Sequence, residues 1–166
     1  MKLSTLIPVF AVLILTSPFS FPSTTNAMTP EEKAEFTQMQ ADINDGDKSE
    51  ANWPKDKCGA AIPITIDPAM HAPFKKSGRN LSAECEAVRS KIGTMCRNDE
   101  ESLNNGNKAK LFKAVKAIQC KLGTGEDVKF AMKGTTLIAT LGPKCSNVSD
   151  LLTPWLVKSG IAVGMD

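Results

Sequence analysis

Five cysteines are the residues of this 166-residue chain with the clearest capacity for chemistry. No two of them form a C-x-x-C pair, so the sequence indicates neither a thioredoxin-like redox site nor a local zinc-binding knuckle. In an oxidising compartment, cysteines pair into disulfides by default, and an odd number leaves one thiol over. The five are Cys58, Cys85, Cys96, Cys120 and Cys145.

The spacing of Cys85 and Cys96 restricts how these cysteines can pair. In one helix, eleven residues return to nearly the same face but about 16 Å further along the axis. A disulfide needs Cα atoms within about 7 Å, so each must reach another element. We predict a bond between Cys96 and Cys120. A second bond would join Cys58 to Cys85 and leave Cys145 as a free thiol, although four paired cysteines allow three connectivities.

His71 is the only histidine, so any mechanism that needs an imidazole depends on it. Asp67 is four residues away and could orient the ring, but no G-x-S-x-G sequence supplies a serine nucleophile. Two ligands are also fewer than a catalytic zinc site uses. The surrounding prolines indicate that His71 lies in an exposed loop. The sequence therefore predicts neither catalysis nor metal binding there.

Carboxylate pairs could hydrolyse glycosides without a histidine. The close pairs here lie in polar stretches at helix starts or turns, where nothing would raise a carboxyl pKa. The sequence thus favours a protein without catalytic residues, metal or cofactor. The pairs are Glu31 with Glu32, Glu100 with Glu101, and Glu126 with Asp127.

Two loop motifs also fall short of a binding site. The acidic stretch at residues 42–47 fails the EF-hand register, because placing Gly46 at position six puts Ala41 at the first ligand position. Residues 123–125 (Gly-Thr-Gly) lack the third glycine, the lysine and the following helix of a phosphate-binding loop. Both are predicted to be turns.

Charge is segregated along the chain, although the formal net charge is only +2. Residues 31–50 carry seven acids and two lysines, whereas residues 105–133 carry seven lysines and two acids. A basic surface of this kind could attract an anionic envelope component or an acidic protein. Nucleic acid is not favoured, because no arginine and few aromatic residues accompany the lysines. The predicted basic patch consists of Lys108, Lys110, Lys113, Lys116, Lys121, Lys129 and Lys133.

Two other interpretations of these lysines remain open. Alternating lysine and apolar residues are expected on a sheet with one face in water. Alternatively, the acidic segment could fold back over the lysines.

Residues 1–27 have the pattern of a signal peptide. Lys2 precedes an apolar run at residues 6–16, and small residues precede Ala27. The run is shorter than the roughly 20 residues of a membrane span. We therefore predict a secreted or periplasmic protein, cleaved after about Ala27 and not membrane-spanning thereafter. Its oligomeric state is left open. Sequons at Asn80 and Asn147 would matter only in a eukaryotic secretory pathway.

The elements that position these residues follow from hydrophobic periodicity. Thr29 and Pro30 predict a helix start, and the helix with its polar linker forms an acidic arm at residues 28–56. Residues 62–66 predict an edge strand because Pro63 cannot donate a hydrogen bond. A loop is expected at residues 67–79, followed by a strong helix that begins near Ser82 and carries an apolar stripe to Cys96.

The second half predicts one short helix, three strands and a final helix. The short helix at residues 108–114 would bury Leu111 and Phe112. Alternation at residues 116–122, 128–133 and 135–141 predicts an antiparallel meander. The last helix covers residues 148–159, or begins at a Thr153 cap.

Residues 57–166 thus form one predicted α+β domain, an antiparallel sheet of three to four strands with helices on one face, stapled by disulfides. The most consistent function is an exported, non-catalytic binding or interaction domain. One alternative is a small secreted hydrolase that uses His71 or a carboxylate pair. Another is an inhibitor of a secreted enzyme that presents the loop at 67–80 or the turn at 123–127.

Overall fold

The computed structural model describes residues 28–46, 48, 53–101 and 106–163. The predicted signal peptide lies outside the described residues. Within them the helices are α1 Pro30–Asp42, α2 Trp53–Cys58, α3 His71–Ser77, α4 Leu81–Glu101, α5 Asn107–Ala114 and α6 Val148–Lys158, with a 3-10 turn at Pro68–Met70. The strands are β1 Ile64–Ile66, β2 Ala117–Leu122, β3 Val128–Lys133 and β4 Thr136–Leu141.

The four strands form one mixed sheet in the order β1-β2-β4-β3. β1 pairs with β2 and β2 with β4 in parallel, and β3 pairs with β4 in antiparallel orientation. Helices with a sheet of this size confirm the α+β class. The predicted antiparallel meander is wrong except for the β3–β4 hairpin. β4 inserts between β2 and β3, and period-two alternation does not distinguish this order from a meander because it is the same in parallel and antiparallel strands.

One face of the sheet carries the core. Ile64, Ile118 and Leu137 lie side by side in register on three strands, and all are buried. The opposite face presents Gln119 and Ile138, both half-buried. β1 lies at the sheet edge, where Pro63 predicted it.

Helix α4 is the centre of the core. Its predicted apolar stripe is buried in full, from Cys85 through Val88, Ile92 and Met95 to Cys96. The helix contacts α2, α5 and α6 as well as β1 and β2. A single amphipathic helix therefore joins both halves of the chain.

Two disulfides anchor α4, and their partners are exchanged relative to the prediction. Cys58 bonds Cys96, with Cα atoms 5.2 Å apart, and Cys85 bonds Cys120, with Cα atoms 6.2 Å apart. The N-terminal part of α4 lies over β2, while its C-terminal part passes α2. The direction in which α4 runs therefore decides which cysteines pair, and the spacing of the cysteines along the chain does not reveal that direction. Cys145 is the free cysteine and is buried.

The segment predicted as a loop at residues 67–79 is mostly helical. Asp67 caps the 3-10 turn by accepting a hydrogen bond from the Ala69 N–H at 2.9 Å. Pro68 begins that turn and Pro73 lies in the first turn of α3, positions where a missing N–H costs little. Proline therefore marks helix starts here rather than a loop.

Helix α1 of the predicted acidic arm lies against the domain. Phe36 is buried, as is Ile43 just after the helix. Gln40 and Asn44 act as a substitute neighbour for the edge strand. The Gln40 amide accepts from the Ile66 N–H and donates to the Ile64 carbonyl, both at 2.8 Å. Asn44 accepts from the Ile64 N–H at 2.8 Å, so side chains cover an edge that would otherwise be open to strand pairing.

The boundary predicted between residues 56 and 57 falls inside α2. Among the described ion pairs of the acidic segment, Glu35 lies beside Lys75 and His71 of α3, and Asp42 and Asp45 lie beside Lys48. None of these partners belongs to the predicted basic patch.

Candidate anion-binding groove

The fold divides the predicted basic patch into two groups at opposite ends of the sheet. Lys121 and Lys129 lie beside Thr140, near the end of β4, and the Lys129 ammonium lies 3.0 Å from the Asp127 carboxylate. Lys133 lies at the other end of β3, about 14 Å away along the strand. The group at that hairpin end, which we call the hairpin-end lysines, is Lys110, Lys113, Lys116 and Lys133. Lys108 lies elsewhere, beside Cys58, Gly59 and Phe112.

Two of the hairpin-end lysines, Lys110 and Lys113, line a groove of about 450 Å³. It lies between α5, the β3–β4 turn and the residues that follow α6. No acidic side chain is present among its lining residues. These are Lys110, Lys113, Ala114, Met132, Gly134, Thr135, Gly160 and Ile161.

Hydrogen bonds of the backbone and of the Asn107 side chain hold the three walls of the groove together. The Lys116 N–H donates to the Thr135 carbonyl at 2.8 Å, which joins the end of α5 to the hairpin. After α6, Gly160 adopts a φ of +70°, a conformation that favours glycine, and the Ile161 N–H donates back to Leu156 at 3.0 Å. Asn107 at the start of α5 bonds both backbone groups of Val163. The chain after α6 is thereby fixed against α5.

The groove has a positive electrostatic character. Lys110, Lys113 and Lys133 make no ion pair with any carboxylate in the described part of the chain. Helices α5 and α6 both end at the groove, and each C-terminus contributes roughly half a negative charge. Lys110 and Lys113 line the groove, and Lys133 adjoins its wall, so these three cations outweigh that contribution. An anionic group is therefore favoured at this position.

Phe112 is exposed on the opposite side of α5, contrary to the prediction that it faces inward with Leu111. Leu111 is fully buried, whereas Phe112 is 41% exposed and lies under the Lys116 ammonium, 3.5 Å from the ring centroid. Neighbouring side chains on a helix point about 100° apart, so Leu111 can face the core while Phe112 faces solvent. Helical periodicity could have found this.

His71 is buried at the start of α3 rather than exposed in a loop. Its ring packs edge-on against Phe36, with centroids 6.0 Å apart, and its Nε2 lies 4.0 Å from the Glu35 carboxylate. Nδ1 has no hydrogen-bond partner among the described residues. The structure therefore shows His71 as a packing residue next to one exposed acid, and not in a nucleophile–base arrangement.

In two of the three carboxylate pairs, one member has a pKa below its ordinary value. The backbone N–H of Thr29 lowers the pKa of Glu32, which caps α1. Hydrogen bonds from Thr124 and Lys129 lower the pKa of Asp127. A general acid needs a raised pKa, which is the opposite direction. The side chains of Glu100 and Glu101 lie outside the described residues.

No cluster of three or more metal-ligating side chains occurs in the described part of the chain. In the acidic stretch after α1, the Lys48 ammonium lies 2.9 Å from Asp42 and 4.0 Å from Asp45. These two carboxylates are thus already paired with a lysine.

Cys145 follows β4 and lies near the Arg79–Glu84 ion pair. Burial, and secondly the negative charge of Glu84, raise the pKa of the Cys145 thiol above its ordinary value, and Arg79 opposes the shift. A buried thiol with a raised pKa is a poor nucleophile.

We expect iodoacetamide to alkylate Cys145 in the folded protein at least about tenfold more slowly than in the urea-unfolded protein with intact disulfides. Folding raises the pKa of the Cys145 thiol, so the thiol ionises at a lower pH in the unfolded protein. Ionisation therefore favours the unfolded state, and the free energy of unfolding should fall as the pH rises above about 8.5. Mass spectrometry and urea melts at neutral and alkaline pH measure both effects. Equal alkylation of the folded and unfolded protein would contradict the buried position.

No helix in the described residues is long and apolar enough to cross a membrane. Comparison of the chain with protein-family models, with curated proteins and with solved structures found no match.

Proposed function

We propose that this protein is an exported, non-catalytic binding domain that takes an anionic ligand at the hairpin-end groove. The observation that carries the proposal is the groove itself, which is bordered by lysines and lined by no acidic side chain. The ammonium groups of Lys110 and Lys113 make no ion pair in the described part of the chain and so remain available to an incoming anion.

Export is supported by two disulfides that join distant parts of the chain, because such bonds persist in oxidising compartments. The pattern of residues 1–27 agrees with this. A secreted or periplasmic location would also place the groove where anionic envelope polymers and acidic proteins occur.

The hydrolase alternative has less support because His71 packs against Phe36 and the pKa values of Glu32 and Asp127 are lowered. The inhibitor alternative also has less support. Residues 67–80, which an inhibitor would present as a loop, are mostly helix. The turn at 123–127 is bonded to the segment after β4, since the Lys144 N–H donates to the Gly125 carbonyl at 2.9 Å. Neither segment protrudes as a free loop of the kind that inserts into an enzyme cleft.

The proposal is tested by titrating the protein with fluorescently labelled polyglutamate and following anisotropy. We expect binding that weakens as salt rises, because salt screens exposed charges. The double variant Lys110→Glu/Lys113→Glu should weaken binding by about tenfold or more, since each reversal replaces an attraction by a repulsion.

The matched control is Lys33→Glu/Lys76→Glu, which makes the same change in net charge on α1 and α3. Both of these lysines are exposed and neither lines the groove. If the control weakens binding as much as the groove variant, only net charge matters and the assignment of the groove is wrong. Absence of binding of any anionic probe at low salt, whether polyglutamate or a smaller carboxylate, would overturn the proposal altogether.

A further inference from the structure

We infer that the groove takes an amphiphilic anion, a carboxylate with an apolar chain. The carboxylate would lie at Lys110 and Lys113, and the chain along Ala114, Met132 and Ile161. The inference rests on the proposed function and adds a chemical class to it.

The lining of the groove provides the apolar half of this recognition. Ala114, Met132 and Ile161 are half-buried at its surface and are packed against the core. Gly134 and Gly160 contribute no side chain, which leaves the surface between these apolar residues open. Methionine adapts its shape to irregular apolar ligands. A hydrated inorganic anion or a purely acidic polymer would leave this apolar surface in water.

The lysines provide the anionic half. Lys110 and Lys113 are three residues apart on α5, so they lie on neighbouring positions of one helix face. Their alkyl stems can cover apolar surface while the ammonium groups remain at the rim. A chain with one terminal carboxylate matches both properties, because its charge stays at the rim and its chain replaces water below.

The size of the groove fits a small molecule. Its volume of about 450 Å³ falls within the usual range of roughly 300–1,000 Å³ for ligand pockets. The β3–β4 hairpin and the bonded segment after α6 form two of the walls, so the site is largely preformed. We therefore commit to a single-chain molecule rather than to a membrane surface.

The experiment uses three probes on the mature protein labelled with ¹³C at its methionine methyl groups. Octanoate carries both chain and charge, acetate carries the charge alone, and octanol carries the chain alone. We expect octanoate to shift the Met132 methyl resonance saturably. If half of its additional methylene groups are buried, octanoate binds about fiftyfold more tightly than acetate.

Two variants separate the contributions of charge and chain. Lys110→Gln/Lys113→Gln should weaken octanoate binding about tenfold, while Lys33→Gln/Lys76→Gln should leave it unchanged. Met132→Gln, which is close in size, should reduce the advantage of octanoate over acetate about threefold or more. Circular dichroism of each variant checks that the fold is retained.

Each contrary result overturns a stated part of the inference. Equal affinity for acetate and octanoate would remove the role of the apolar lining, and equal affinity for octanol and octanoate would remove that of the lysines. Binding of polyglutamate, or of phosphatidylglycerol vesicles, without binding of free octanoate would overturn the amphiphile while leaving an anion-binding function intact. Failure to bind octanoate, polyglutamate and the vesicles would overturn both proposals.

Discussion

The double variant Cys58→Ala/Cys96→Ala is expected to have a free energy of unfolding about 4 kcal/mol lower than that of the unaltered protein. The bond joins residues 38 positions apart, and the chain-entropy model gives that value for a loop of this length. The bond also holds α2, which has only six residues and is too short to be stable alone. Loss of the bond should therefore loosen α2 from α4 as well as destabilise the whole domain.

Urea unfolding followed by circular dichroism measures the effect, and Cys145→Ala is the matched control. Cys145 is equally buried but makes no disulfide, so its replacement should cost only about 1 kcal/mol. Replacing Cys85 and Cys120, which are 35 positions apart, should have a similar effect to the first pair. The two closed loops overlap in sequence, so the effects are not expected to add. If the double variant Cys58→Ala/Cys96→Ala is no less stable than Cys145→Ala, the assigned connectivity is wrong.

Replacing Gly142 with alanine is expected to cost about 3 kcal/mol or more. A Cβ at this position would overlap the carbonyl of Gly125 and lie 2.7 Å from that of Thr124. Both are backbone atoms, so the clash cannot be relieved by a side-chain rotation. The two segments are also joined by the Gly142 N–H, which donates to the Asp127 carbonyl at 2.7 Å.

Gly59→Ala is the control for this second prediction. Gly59 has a φ of +84° and no atom within 4 Å of an added Cβ. Its substitution should therefore cost only the roughly 1–2 kcal/mol of a left-handed backbone. Comparison of urea midpoints measures the difference. Equal losses at the two positions would show that close packing between the turn and the segment after β4 is not what requires Gly142.

The sequence by itself determined most of the local elements, the exceptions being α2, which was predicted as part of a linker, and α3 with its preceding 3-10 turn, which were predicted as a loop. The apolar stripe of α4 is explicit in its 3.6-residue period, and β2, β3 and β4 follow from alternation. Pro63 placed β1 at an edge because it lacks an N–H to donate. These features depend on residues that are close in the chain, and for that reason a sequence pattern reveals them.

The candidate site was only half determined by sequence. The clustered lysines were visible as charge, but Met132, Gly160 and Ile161 come from other elements and join Lys110 only through the fold. The separation of Lys129 from the hairpin-end lysines likewise depends on the direction of β3. No periodicity within a single segment contains that information.

Tertiary structure alone decided the order of the strands in the sheet, the pairing of the cysteines and the side chains that cover the open edge of β1. β4 lies between β2 and β3, so the turn at 123–127 crosses the end of β4, a close approach that Gly142 permits. Gln40 and Asn44 cover the edge of β1 from twenty or more positions away in the chain. Such contacts form only when the ends of long loops meet, at an entropic cost that burial of the shared core must offset. Local pattern sets what each segment becomes, and packing of the core sets which segments meet.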